Sequence, residues 1–155
     1  MTRLELTLIA LAALVQAALA GEASWLTDFA KAQQLAKEEK KLVLLDFTGS
    51  DWCPPCKLLH KNVFSTHEFN DFAKENLVLV LVDFPNSKPI SDQQKKANGK
   101  LGEKYKVQLL PTIVVLDSNG KQLSFTAGYH EETAKEFIDN LKKLKKEQSR
   151  PNTPG

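Results

Sequence analysis

Two mainly apolar runs, Leu42 to Thr48 and Leu77 to Phe84, stand out in a chain most of whose other hydrophobic positions recur at helical spacing. Runs of this length, closed by Gly49-Ser50 and by Pro85-Asn86-Ser87, are the pattern of strands covered on both faces. Ahead of the first run, Trp25, Phe29, Ala32 and Ala36 predict a helix from Trp25 to about Lys40, with Ser24 as its cap. Between the runs, a helix is expected to open at Cys53 and reach about Val63, because Pro54 and Pro55 are tolerated only in a first turn. The capping box Ser65-x-x-Glu68 predicts another, turning Phe69, Phe72 and Ala73 inward. After the second run, Ser91 to Lys106 reads as a mostly polar helix with Ala97, Leu101 and Tyr105 on one face, weakened by Gly99 and Gly102. Thr112 to Asp117 and Gln122 to Thr126 flank a loop containing Asn119-Gly120, the signal of a hairpin. Glu131 to Glu147 predicts a closing helix with Phe137, Ile138, Leu141 and Leu144 inward and its lysines in solvent.

Helices that alternate with buried strands imply parallel pairing and right-handed crossovers. The expectation is an α/β fold: a central mixed sheet of parallel strands plus an antiparallel hairpin, flanked by helices. A chain of 155 residues has room for one such domain. A formal charge of +2 gives no reason to expect a nucleic-acid partner.

Residues 1–20 differ from the rest. Arg3 precedes an almost wholly apolar segment from Leu6 to Leu19, and Ala18-Leu19-Ala20 before Gly21 has the small-x-small form of a signal-peptidase site. The segment reads as a secretory signal cut after Ala20; an uncleaved anchor is the alternative, although the stretch is shorter than the roughly 20 residues a span needs. That leaves residues 21–148 as the domain and 149–155 as a flexible tail, in a periplasmic or extracellular setting.

Export changes the meaning of Cys53-Pro54-Pro55-Cys56, which contains the chain's only two cysteines. A disulfide across a two-residue spacer removes little unfolded-state entropy, so the pair is poorly placed as a staple. Zinc would want four ligands, and there is no second cysteine pair or spaced histidine pair. His60 stands about two helical turns, roughly 10 Å, from Cys53, too far to share one metal with it. Reversible dithiol chemistry is the reading left, with no metal and no cofactor.

Strand, Trp52-Cys53-Pro54-Pro55-Cys56, helix, and then Leu110-Pro111-Thr112 before a hairpin: this combination resembles the thioredoxin family over roughly Trp25 to Leu144. Leu44 to Phe64 and the spacing to Pro111 are further similar to the exported thioredoxin-like domain of the membrane thiol:disulfide interchange reductases. The resemblance implies protein disulfides as substrates and a membrane-bound electron donor. The departures are a loop to the cysteines one residue longer than in ordinary thioredoxins, and no lysine within Leu77 to Phe84 to partner the buried acid.

Cys53, at a helix start, is the expected nucleophile, since thiolates are favoured where backbone N–H groups and the dipole's positive end converge. Cys56 is the resolving thiol. Pro55 deletes one of the N–H groups a capping sulfur normally accepts from, leaving mainly that of Cys56, so the couple should be comparatively reducing. The resemblance implies a cis Leu110-Pro111 bond lying against the cysteines, with the Leu110 backbone free to pair with substrate; a trans proline opening a strand is the plain alternative. Asp46, in a buried strand, should have a raised pKa and could take the Cys56 proton, unless it reaches solvent at the strand end. Trp52, Leu110 and Pro54 are the expected substrate contacts, although burial alone would account for Trp52 as well. Gly128 fits either a close backbone approach or a simple turn. An oxidase or isomerase, or a copper- or protein-binding module without turnover, are the competing functions.

Overall fold

The computed structural model describes residues 22–148. The segment read as a secretory signal, its expected cut after Ala20 and the expected tail 149–155 lie outside the described residues. In chain order the elements are β1 (Trp25–Leu26), α1 (Phe29–Glu39), β2 (Leu42–Thr48), α2 (Pro54–Leu59) running into a π-helical turn (His60–Phe64), α3 (His67–Asn76), β3 (Leu77–Asp83), α4 (Asp92–Lys104), β4 (Thr112–Leu116), β5 (Gln122–Ala127) and α5 (Ala134–Gln148). The sheet order is β1-β3-β2-β4-β5. β1 and β2 run parallel to β3, and β4 runs antiparallel to both β2 and β5. This is the expected thioredoxin-like mixed sheet, flanked by helices.

Both apolar runs are central strands, and their alternation divides the core between the two faces. Val43, Leu45 and Phe47 with Val78, Val80 and Val82 pack under α1 and α4, against Ala32, Ala36 and Tyr105. Leu42, Leu44, Leu77 and Leu79 pack under the other three helices, against Leu59, Val63, Phe69 and Ile138. Phe64 is the hub of that second core, with its ring centroid 5.1 Å from Trp25, 5.0 Å from Phe69 and 5.7 Å from Phe137.

Three boundaries and one buried position differ from expectation, each for a local reason. Trp25 and Leu26 extend alongside Leu79 and Val80 as an edge strand, so α1 starts later, and its cap is Asp28, whose carboxylate accepts from Lys31 N–H, rather than Ser24. Helical spacing of Trp25 with Phe29 was misleading, since Trp25 turns inward from a strand. The cap of α3 is Thr66, accepting from Phe69 N–H, one residue beyond the predicted Ser65. On α4 the buried side chain is Asn98 rather than its exposed neighbour Ala97; its amide donates to the Asp83 carbonyl at 2.8 Å and accepts from Gln94. The last helix begins at Ala134, not Glu131, because Thr133 and Glu136 form a reciprocal capping box. The hairpin is as predicted: Asp117 accepts from the Asn119 and Lys121 N–H groups, and Gly120 takes φ +87°.

Candidate active site

The C-terminal ends of β2 and β3 deliver the chain to one edge of the sheet, where the loop 49–52 carries it into α2. Every residue of that loop is tied down. The Gly49 carbonyl accepts from Trp52 and Cys53 N–H at 3.2 and 2.9 Å. Ser50 donates through both N–H and hydroxyl to the Asp83 carboxylate, at 2.9 and 2.5 Å. Asp51 accepts from the backbone N–H groups of Asn86, Ser87 and Lys88 and from the Ser87 hydroxyl. Those backbone donors hold its carboxyl well below the usual carboxylate range. The Trp52 indole donates to the Phe84 carbonyl at 2.8 Å and its ring lies over Gly49, where a Cβ would fall 2.5 Å from the ring. The loop is thus stitched to the segment 83–88.

Cys53 occupies the N-cap of α2 with extended backbone, Pro54 and Pro55 fill the first two helical positions, and Cys53 Sγ accepts from Cys56 N–H at 3.4 Å. The two cysteines form a disulfide across a Cα–Cα distance of 5.3 Å. Both are buried, at 3% and 4% exposure, so in this oxidised state the two cysteines are covered alike.

The Leu110-Pro111 bond is cis. Because Thr112 pairs with Phe47, Pro111 lies next to Thr48, at the same sheet end from which the chain leaves for Cys53. Pro111 is buried, Leu110 half-buried and Leu109 exposed. Gly128 N–H donates to the Pro111 carbonyl at 2.8 Å with φ +84°, so it serves as both the turn and the close approach. Trp52, 45% exposed, and the exposed Pro54 flank the disulfide.

Asp46 is buried at 5% exposure, and its Oδ1 makes no hydrogen bond. Burial first, and then the charge of Asp83, push its pKa up to about 7. It lines a cavity of about 310 Å³ shared with Thr48, Ser50, Cys56, Lys57, His60 and Lys88. Asp46 and Cys56 therefore open onto the same cavity. The histidines are dispersed: His60 bonds to Ser65, His67 pairs with Asp71, and His130 lies 3.2 Å from the Ala127 carbonyl.

A CxxC disulfide at a helix N-cap beside a cis-proline is a site of the thiol:disulfide oxidoreductase type, and comparison with known proteins agrees. A family model described as a thioredoxin-like domain matches residues 29–145. The chain belongs to the thioredoxin-like family. Among curated proteins it is similar to the disulfide bond reductase DsbH of Chlamydia pneumoniae, 38% identical over 96 residues that cover 62% of this chain and 58% of the relative. It is also similar to the thiol:disulfide interchange protein DsbD of Pasteurella multocida, 32% identical over 127 residues, 77% of this chain and 19% of the relative. In both cases the match spans less than two-thirds of the relative's own length. The solved structure of a DsbH oxidoreductase superposes with a TM-score of 0.75 at 30% identity, covering 85% of this chain and 92% of that one.

Within this thioredoxin-like site, sequence reasoning missed Gly49, Ser50, Asp51 and Asp83. One signal was legible: Asp83 ends the second buried run on the same face that Asp46 interrupts in the first, and two acids on one buried face are unusual. The role of Asp51 depends on a loop contact 35 residues away in sequence, which no local pattern encodes.

Proposed function

We propose that this chain is an exported reductase of protein disulfides. The Cys53 thiolate attacks one sulfur of a substrate disulfide, and the other leaves as a thiolate that takes a proton from water. Cys56, giving up its proton, then attacks Cys53 Sγ; a Cys53–Cys56 disulfide forms and the second substrate sulfur is released. A membrane-bound donor returns two electrons to the pair. Trp52, Pro54 and the Leu110 backbone hold the substrate segment, with Pro111 keeping that loop against the cysteines. The observation that carries this reading is the position of Cys53, capping α2 at the sheet end that also holds the Leu110-Pro111 bond.

The reducing direction is supported by the single N–H, from Cys56, that Cys53 Sγ accepts, because a weakly stabilised thiolate makes the dithiol a better reductant. The printed name of the DsbH relative points the same way. Export rests on the pattern of residues 1–20.

Insulin reduction tests the cycle. Cys53→Ser should abolish turnover, while Cys56→Ser should accumulate a mixed disulfide through Cys53. The reduction potential should lie near that of thioredoxin, about −270 mV; a value near about −120 mV would place the protein among oxidases instead.

A further inference from the structure

We propose that Asp51 is a positioning residue for substrate recognition: its carboxylate holds the segment 85–90 in place, setting Lys88 beside Lys57 as a cationic rim that selects acidic segments flanking a substrate disulfide. The inference rests on the dithiol-exchange reading above and adds to it the kind of disulfide the site prefers.

Asp51 does more than brace its own loop. Asn86 N–H donates to its Oδ1 at 3.0 Å, while Ser87 N–H, the Ser87 hydroxyl and Lys88 N–H donate to its Oδ2 at 2.7, 2.9 and 2.9 Å. Three successive backbone N–H groups converging on one anion make a nest, and here the chain supplies the anion itself. The segment 85–90 has no helix or strand of its own, and Pro85 and Pro89 favour extended backbone at Phe84 and Lys88 before them. Among the described residues, it makes no other hydrogen bond. Its anchor to the redox loop is therefore the Asp51 carboxylate, which these donors keep ionised throughout the neutral range.

The same residue places both cations. Lys57 Nζ donates to the Asp51 carbonyl at 2.9 Å, using one of its three protons, and Lys88 extends from the backbone that the carboxylate holds. Both lysines are exposed, and both line the cavity that contains Cys56. Neither has a carboxylate partner among the described residues. The acids nearby are otherwise occupied: Asp46 is buried within the cavity, Asp83 accepts from Ser50, and Asp51 is saturated by its four donors. Positive charge is left open to a ligand.

A substrate segment seated at Cys53 meets apolar surface from Trp52, 45% exposed, and from Leu109, 50% exposed. Beside Leu109, Glu103 and Lys106 carry opposite signs and offset each other. The uncompensated charge at the site is that of Lys57 and Lys88. Exposed charges at a binding rim steer encounter and disfavour the wrong partner more than they add affinity, and salt screens them. The expected signature is a salt-sensitive difference in second-order rate constant between acidic and basic substrates, and it should depend on Asp51 through Lys88.

The test uses two synthetic disulfide-linked peptides, identical except that glutamates flank the cysteine in one and lysines in the other. Each is mixed with the reduced full-length protein, and the second-order rate constant of protein oxidation is read. At low ionic strength the acidic peptide should react about fivefold faster, and the ratio should approach one at about 1 M salt. Lys88→Gln should lower the ratio about twofold, and Lys88→Glu should invert it. Asp51→Ala should lower it as far as Lys88→Gln does, and adding Lys88→Gln to Asp51→Ala should change it little further. A merely structural role for Asp51 would slow both peptides alike and leave the ratio as it is. A wild-type ratio of one, or a ratio unmoved by Lys88→Glu or by a folded Asp51→Ala, overturns the inference. Because Lys88 is exposed, its variants keep the test decisive if Asp51→Ala fails to fold. Reaction with neither peptide would instead refute dithiol exchange itself, and the inference with it.

Discussion

Under α1 and α4, the central strands present Val43, Leu45, Phe47, Val78, Val80, Val82, Val114 and Leu116, all buried and all apolar. The opposite face of β2 and β3 starts the same way, with Leu42, Leu44, Leu77 and Leu79, but finishes with Asp46, Thr48 and Asp83, equally buried. Along β2 and β3 one face is therefore apolar from end to end, with Thr112 of β4 the buried polar neighbour of Phe47, whereas the other gives up hydrophobic burial in its last two layers, at the end where Cys56 stands. Buried polarity is expensive in either place. Asp46, Thr48 and Asp83 form one contiguous polar patch with the half-buried Leu81 at the sheet end that leads to the disulfide, which indicates that apolar burial is given up there for chemistry.

Substitutions of opposite sign on the two faces provide the strongest test of that contrast. Phe47 is fully buried on the apolar face, and Phe47→Ala should cost about 4 kcal/mol in urea unfolding at any pH. Asp46→Asn, one residue away on the other face, should instead stabilise, but only at high pH. The Asp46 folded pKa of about 7 exceeds its ordinary 3.8. The folded state therefore binds this proton more tightly, so the contribution of Asp46 to stability is full below pH 4 and is lost as pH rises from there through 7. Removing the acid lifts that penalty, by at most about 4 kcal/mol above pH 8 and by little at pH 4, while slowing mixed-disulfide resolution. A stability change independent of pH would show that Asp46 is an ordinary core residue.

The same contrast explains what could be read from the sequence. The apolar runs, the hairpin with its Asn-Gly turn and the CxxC at a helix start are patterns of neighbouring residues, and the fold follows from them. Asp46 was legible because an acid inside an apolar run violates the pattern. The loop contacts of Ser50 and Asp51 and the edge strand at Trp25 were not, because each depends on partners more than 30 residues away that are chosen by the assembled sheet. The caps of α1 and α3 were misplaced for a smaller reason: Ser24, Asp28, Ser65 and Thr66 are all competent caps, and packing of Trp25 and Phe64 selects between adjacent candidates.

Gly49 separates loop geometry from proton chemistry on the polar face. A Cβ at this position meets the Trp52 ring at 2.5 Å, so Gly49→Ala must move the indole off its Phe84 hydrogen bond. The expected result is a loss of about 1–3 kcal/mol with a rise in KM for insulin, as the flat rim beside Cys53 is displaced. The pH dependence of resolution should stay as it is in the unaltered protein, because Asp46 stays buried and Asp83 keeps its Ser50 contacts. A shifted pH profile would mean that the rim and the acid pair are one unit.

The smallest effects come from the helix caps, one on each side of the sheet. Asp28 caps α1, over the apolar face, and Thr66 caps α3, behind the redox helix. Replacing either with alanine should cost about 1 kcal/mol in chemical unfolding. Their effects on function should differ. Thr66 Oγ1 also donates to the Val63 carbonyl at 2.6 Å, so it joins the π-helical turn following α2 to the start of α3. Thr66→Ala should therefore weaken the support of the segment carrying Cys56 and reduce insulin turnover several-fold, whereas Asp28→Ala should leave turnover unchanged at matched fraction folded. Equal losses of activity in the two variants would mean that both faces support the site alike, and that the division of labour between them is confined to Asp46 and its immediate neighbours.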